Sequence, residues 1–442
     1  MVKISSALPT IPRSRDFRRV WSAAIISQLG DWSARLAIGI MVFDRTDRPI
    51  YVGTAALVFI IPYFGLGQAL TAFAERFQRR NVMVSCDALR GVAFLILGVL
   101  DPPLLVFFIV LFIAATADPV FEANVSATIL ETVDGDEYDS AIRLRHVSGE
   151  VATLGGLGLG GLLVGWLDAQ QVLLADALTF AFSAFVIAGL VARRQTPAVP
   201  PTVRETFAGG IRFLRHDQTS RNAVLATMIT LIAAMAVQAQ VPVIGLELAD
   251  LRPELIGALA MATPAGSIVA LTFVSTRGTG RAAYYRNLVV SLGAAVLTAG
   301  LLQFGDNPFA LFAAFFTLGF VYQTSMTANI LVGRRIPAEG RTVVFGMLQA
   351  LIIIANGTGA WLGGLAIELL GTRAGAQISL LFSLAALLAV IPKVTPRVAA
   401  AGGATTAQRG EELSIDLTDD SRMDHTSGMN RTPMSDDIDS NI

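Results

Sequence analysis

The chain is written in long apolar runs separated by short polar breaks. Twelve runs are long enough to be membrane helices, at 19–43, 50–73, 82–100, 103–127, 143–166, 171–192, 221–245, 254–276, 284–305, 307–331, 342–367 and 373–392. A helix crossing the hydrocarbon core needs about 20 such residues. Turn residues punctuate the breaks, among them Asp47 and Pro49, Pro102 and Pro103, Asp168, Asp306 and Pro308, and Gly371. The pattern predicts an all-α integral membrane protein. The first run is the least uniform, because Gln28, Asp31 and Arg35 stand near its middle. A charged side chain at that depth costs at least about 2.5–3.5 kcal/mol, so it faces protein or a water-filled cavity.

Composition agrees with this picture. Of 442 residues, 53% are apolar and only 15% charged, with a mean hydropathy of +0.61; soluble domains carry roughly 25% charged residues. The formal net charge of −1 is unevenly spread. Residues 397–442 hold nine acidic side chains against four arginines, a net −5 that leaves +4 elsewhere. The single cysteine, Cys86, leaves no internal disulfide or cysteine-based metal site to build. The first 17 residues lack a signal-peptide pattern, so the first run is expected to serve as the insertion signal. With a cytoplasmic N-terminus, the inner loops hold 24 Lys and Arg and the outer loops four, namely Arg45, Arg48, Arg252 and Arg373. Positive residues concentrate on the cytoplasmic side, which places both termini inside and makes the number of spans even. Two lysines against 31 arginines, with abundant alanine, point to a bacterial source and hence to an inner membrane.

The chain repeats itself. Ala152, Gly156, Gly160, Gly161 and Leu162 in the fifth run match Ala355, Gly359, Gly363, Gly364 and Leu365 in the eleventh, each pair 203 positions apart. The same offset carries the first run onto the seventh and the fourth onto the tenth. Small residues pack membrane helices in general; the constant offset is what makes this a repeat. The expected organisation is a cytoplasmic N-terminus 1–18, a six-helix bundle 19–192, a connector 193–220, a second bundle 221–392 and a disordered cytoplasmic tail 393–442. Within the connector, Phe207, Ile211, Phe213 and Leu214 alternate with Arg204, Arg212 and Arg215, which fits either a short surface helix or a basic tether.

Two stretches carry a resemblance. AERFQRRNVM, residues 74–83, resembles the signature loop of the major facilitator superfamily, with Glu75 in the acidic place and Arg76, Arg79 and Arg80 in the basic ones; Thr71 and Gln78 stand where glycines are usual. ISQLGDWSARLAIGIMVFDRT in the first run, with the FQRRNVM loop, is similar to the drug:proton antiporter branch that includes macrolide and enterobactin exporters. The similarity extends over residues 16–392. It implies twelve transmembrane helices in two pseudo-symmetric six-helix bundles, alternating access, and a gate at the signature loop to which Asp87 and Arg90 would belong. The run GGLGLGGLLVG departs from the antiporter pattern, with Leu157 where a proline would fall.

No metalloprotease, nucleophile-elbow or phosphate-loop motif appears, so enzymatic chemistry, cofactors and metals are not expected. The ionisable residues at membrane depth are Asp31, Arg35, Asp87, Arg90, Asp118, Glu122, His146, Glu150 and Asp176, all in the first half, whereas the second offers Gln238, Gln240, Gln323, Asn329, Gln349 and Asn356, with Glu368 near an end. This predicts charge chemistry in the first bundle and neutral contacts in the second. Proton coupling requires a carboxylate that desolvation and a nearby cation can tune, and Asp31, Arg35, Asp118, Glu122 and Glu150 are the candidates. Asp31 and Arg35 share a helix face at i, i+4, which leaves a fixed ion pair as the alternative; Asp118 with Glu122 and His146 with Glu150 have the same spacing. Asp176 reads as interfacial. Gln28, Tyr63, Gln238, Gln323 and Asn356 are candidate cavity residues, and Phe59, Phe64, Phe315, Phe316, Phe320 and Tyr322 are aromatic wall candidates. The expected protein is a monomeric proton-driven exporter of amphipathic small molecules in contact with lipids and not nucleic acid. The alternatives are a siderophore, lipid or metal-ion carrier, or a non-transporting sensor whose tail meets a partner.

Overall fold

The computed structural model describes residues 11–12, 14–63, 66–133, 135–190, 203–272, 281–333, 335–336 and 341–390. The tail 393–442, connector residues 193–202, Phe64 and the side chains of His146, Arg204 and Phe207 lie outside the described residues.

The described chain is helical. Its first half comprises α1 (Arg15–Thr46), α2 (Pro49–Ile60), α3 (Leu66–Ala74), α4 (Arg79–Val99), α5 (Leu104–Ala115), α6 (Ala117–Thr132), α7 (Gly135–Trp166) and α8 (Ala169–Ala188). After the bridging helix α9 (Val203–His216) follow α10 (Gln218–Gln238), α11 (Val241–Ala249), α12 (Pro253–Ala270), α13 (Arg281–Leu302), α14 (Pro308–Leu318), α15 (Gln323–Gly333), α16 (Arg341–Leu370) and α17 (Thr372–Val390). Several spans of the sequence reading are broken in two. Pro62, Pro119 and Pro242 lie at the α2/α3, α5/α6 and α10/α11 breaks; proline lacks an N–H and its ring meets the carbonyl four residues back. Nine helical stretches among the described residues are long and apolar enough to cross a membrane. The polar trio Gln28, Asp31 and Arg35 keeps α1 out of that set. The connector does form a helix, α9, which packs on α16: a Cβ on Gly210 would lie 2.3 Å from the Met347 sulfur.

The repeat is built into the contacts. On α7, a Cβ on Gly156 would lie 2.6 Å from the Leu29 carbonyl oxygen and one on Gly160 2.8 Å from that of Ser33. On α16, a Cβ on Gly359 would lie 2.4 Å from the Ile232 carbonyl oxygen and one on Gly363 2.0 Å from that of Ala236. Glycines and partners are shifted alike, by 203. The helix ends obey the same shift. Asp47 after α1 and Asp250 after α11 both adopt left-handed backbone, at φ 51° and 47°, and their N–H groups donate to the Phe43 and Leu246 carbonyls. These are the pseudo-symmetric six-helix bundles.

The bundles meet through α2 against α16, α7 against α12, and α1 against α11. The seam is closest toward the end of the molecule that carries Asp47. There a Cβ on Gly53 would lie 2.4 Å from the Ala360 carbonyl oxygen, and one on Gly161 2.5 Å from the Gly257 Cα. Arg48 pairs with Glu368 across the seam, and the Ile50 N–H donates to the same carboxylate at 3.3 Å. Arg45–Asp101 and Arg373–Asp306, both at 2.5 Å, tie further loops at this end. At the opposite end, carrying Arg79, the ion pairs among the described residues stay within one half, as in Arg79–Glu131 at 2.9 Å and Arg335–Asp217 at 3.3 Å.

Candidate functional site

Helices of the first bundle bring four carboxylates and two guanidiniums together in its interior. Arg90, on α4, is the hub. Its Nη2 donates to Asp87 Oδ1 at 2.5 Å, and its Nη1 reaches Asp118 Oδ1 at 3.3 Å and Asp31 Oδ2 at 3.6 Å. The guanidinium is held between the Phe121 and Phe180 rings, 4.4 and 4.5 Å from their centroids. Arg35 donates from Nη2 to Asp118 Oδ2 at 3.3 Å and stacks over Phe59 and Trp32. Asp118 thus bridges the two arginines. Ser183 on α8 donates to Asp87 Oδ2 at 2.7 Å. Asp176, also on α8, accepts from Thr179 at 2.8 Å through Oδ1. Guanidinium–carboxylate hydrogen bonds are charge-assisted and of the strong class, and at this depth each pairs a charge that would otherwise be unpaired.

This geometry corrects several expectations. Asp31 and Arg35 share a helix face but do not pair; Arg90 meets Asp31, which leaves Arg35 to Asp118. Asp87 and Arg90 lie within α4 and not in the signature loop itself. They stand eight and eleven residues into α4, about 12 and 16 Å at 1.5 Å per residue, and are 0% and 3% exposed. Asp176 is not interfacial but 1% exposed. Glu122 turns from Asp118 to pair with Arg145 at the rim. In the signature loop itself, Arg79 holds Glu131 at the end of α6, Arg80 donates to the Leu190 carbonyl at 3.3 Å and Arg76 covers the Phe73 ring. Glu75 forms no salt bridge among the described residues.

Two cavities adjoin the cluster. The smaller, about 190 Å³, is lined by Ser27, Gln28, Asp31, Tyr63, Asp118 and Glu122 among others. The larger, about 560 Å³, lies between the halves and is mostly apolar, with Arg35, Glu150, Thr153, Gln238, Tyr322 and Asn356 among its polar points. Trp32 and Arg35 line both. Gln28 also donates to the Gly149 carbonyl at 3.4 Å, joining α1 to α7. The Gln238 and Asn356 side-chain oxygens have no hydrogen-bond partner among the described residues. Gln323 does not reach the cavity; it is fully buried between helices. Of the aromatic candidates, Phe59 and Tyr322 line the larger cavity, Tyr63 the smaller, and Phe315 is core. The sequence reading missed Arg90 as a hub and the depth of Asp176; its only signal for either was an ionisable residue inside an apolar run.

The family model of the Major Facilitator Superfamily matches residues 20–351. The chain belongs to that superfamily. With its membrane-length helices, it has the all-helical fold of a multi-pass membrane protein of the transporter type. An uncharacterized MFS-type transporter, YkuC of Bacillus subtilis (strain 168), is 25% identical over 186 residues, which is 41% of this chain and 42% of that protein. Among solved structures, the nucleoside transporter NupG has a TM-score of 0.69 at 14% identity, covering 87% of this chain and 100% of that one. A POT family transporter in complex with 5-aminolevulinic acid has a TM-score of 0.65 at 12% identity, covering 87% and 97%. A bacterial homolog of the human lysosomal transporter Spinster, inward-facing and occupied, has a TM-score of 0.65 at 13% identity, covering 88% and 96%. At these identities the likeness is one of fold.

Proposed function

We propose that this superfamily member is a proton-coupled exporter of amphipathic small molecules in a bacterial inner membrane. The observation that carries the reading is the position of Arg35, which borders both cavities and is bound to Asp118. A ligand that draws Arg35 toward the larger cavity weakens its hold on Asp118, and the carboxylates of the smaller cavity then have less positive charge to face. Protonation and ligand occupancy compete or cooperate through one side chain. The larger cavity's apolar wall with few polar points suits a lipophilic body bearing a hydrogen-bonding group. Gln238, whose position matches Arg35 through the repeat, and Asn356 supply neutral polar contacts from the second bundle.

The charge count over the loops supports a cytoplasmic Arg79 end. On that orientation the seam is shut toward the outside, and Glu75, Arg76, Arg79 and Arg80 form the loop that rearranges as the inner side closes. The test is flux in proteoliposomes under an imposed pH gradient, with a chemically diverse panel first sorted by thermal stabilisation of the purified protein. The reading expects uphill movement of at least one amphipathic compound, abolished by collapsing the gradient and by D31N. Full gradient-driven flux in D31N, or stabilising compounds that move only downhill, would overturn it.

A further inference from the structure

The cluster is short of positive charge. Asp31, Asp87, Asp118 and Asp176 face Arg35 and Arg90, while Glu122 is neutralised by Arg145. Three of the four carboxylates touch a guanidinium. Asp176 touches none among the described residues: its Oδ1 takes the Thr179 hydroxyl, and its Oδ2 is buried with no hydrogen-bond partner. A carboxylate with a bare, water-excluded oxygen is the form burial penalises most, whereas a carboxylic acid carries no net charge there. Asp176 is also placed against the helix turn that bears Asp31. A Cβ on Gly30 would lie 2.1 Å from Asp176 Oδ1, so only glycine allows this approach, and Asp31 is the next residue. The charges acting most strongly on Asp176 come from Asp31 on α1, Arg90 on α4 and Asp118 on α6; α7 adds none of them. Asp31, unlike Asp176, lines the smaller cavity, with 20% of its side chain exposed.

We infer that Asp176 is a second proton site, a buried carboxylic acid that stores a proton and exchanges it with Asp31. In the exchange the O–H bond of the Asp176 carboxyl breaks and one forms at an Asp31 carboxylate oxygen, so negative charge moves from Asp31 to Asp176 and the net charge of the cluster is unchanged. Asp31 faces the cavity and trades protons with water; Asp176 keeps the proton out of water's reach while Asp31 is engaged. Its role as a store for coupling rests on the proton-coupled reading above, but the stored proton itself does not.

Infrared spectroscopy of the purified full-length protein in lipid nanodiscs at neutral pH tests this through the carbonyl stretch of buried carboxylic acids. The expected result is a band that D176N removes and that D31N shifts, because the hydrogen-bonding environment of the acid changes. The isosteric amides preserve packing, and the amide I helical signal checks the fold. A band that survives intact in D176N, or one that D31N leaves in place, overturns the proposal. A wild-type protein with the band but no pH-driven flux would remove the coupling reading and leave the stored proton standing, so the two failures are separable.

Discussion

Replacing Arg90 by leucine is the sharpest perturbation of the buried cluster. The guanidinium compensates Asp87, Asp118 and Asp31, at 2.5, 3.3 and 3.6 Å, and fills the gap between Phe121 and Phe180. Leucine keeps an apolar contact with the rings but leaves three carboxylates facing Arg35 alone. Removing one partner of a buried ion pair costs about 3–5 kcal/mol. For a cooperative unit about the size of one bundle, each kcal/mol lowers the melting temperature by roughly 2–4 °C, so R90L is expected to melt about 10 °C below the wild type. The assay is thermal unfolding in nanodiscs followed by intrinsic fluorescence, for which the chain supplies four tryptophans. The decisive arm is D87N/R90L. With its nearest carboxylate neutralised, the double variant is expected to recover about 1–3 kcal/mol relative to the sum of the single changes. A melting temperature for R90L within about 1 °C of wild type, or strictly additive effects in the double variant, would refute the hub.

Three further outcomes follow from the same geometry. E122Q breaks only the rim pair with Arg145, whose side chains are 49% and 30% exposed, and is expected to cost no more than about 1 kcal/mol in the same melt; a loss equal to that of R90L would mean the pair is functionally buried. D47V forces a β-branched residue into left-handed backbone at φ 51° and is expected to lose roughly 1–2 kcal/mol, whereas D47G stays near wild type; equal melting of the two would contradict the turn. G257L drives a side chain into the Gly161 backbone, where even a Cβ would come within 2.7 Å, and should wedge the seam apart at the Asp47 end. In a C86A background, labelling of V52C by an impermeant maleimide from that side is then expected to rise several-fold, and unchanged labelling would show that the seam tolerates the wedge.

Much of the architecture was legible because it is written in periodic or repeated signals. The apolar runs located the helices, and the glycine pattern of the fifth and eleventh runs anticipated contacts that the structure repeats at the same offset, Gly156 on Leu29 and Gly359 on Ile232. The unusual polarity of α1 marked the site. What stayed hidden depends on helix rotation. α4 and α8 carry Asp87, Arg90 and Asp176 within apolar runs, but the sequence does not say which neighbours these side chains meet, and Arg90 and Asp176 could be given partners only once α4 and α8 were packed against each other and α1. Gln323 failed for the same reason: it faces the interior of its own bundle rather than the cavity. Glu122 and Asp118 share a helix face by spacing, yet Arg145 on α7 competes for Glu122 and separates the two.

The two bundles share a scaffold but not a chemistry, and that asymmetry bears on how such a molecule is driven. Asp31 maps through the repeat onto Ala234, fully buried, and Arg90 onto Gly293, whose missing side chain would meet nothing within 4 Å. Where α4 and α6 of the first bundle are joined by Arg90 and Asp118, α13 and α15 of the second are joined by neutral hydrogen bonds, Asn287 to Thr327 at 3.0 Å and Ser291 to Thr324 at 2.6 Å. Neutral pairs do not change with proton activity, so the α13/α15 contact keeps its hydrogen bonds over the range in which carboxylates titrate, and the second bundle's ion-paired carboxylates, Asp217, Asp306 and Glu368, sit at its ends. On the proposed coupling, a proton entering the first bundle would alter the balance among α1, α4, α6 and α8, and α1, α2 and α7 are the helices that meet the second bundle at the seam. In the proposed proton-coupled exporter, the repeat would supply two faces that rock on each other, while the charge cluster would supply the bias on one side only. An equal charge set in both halves would respond to protons in both, and a ligand between them would have no stationary wall to bind against.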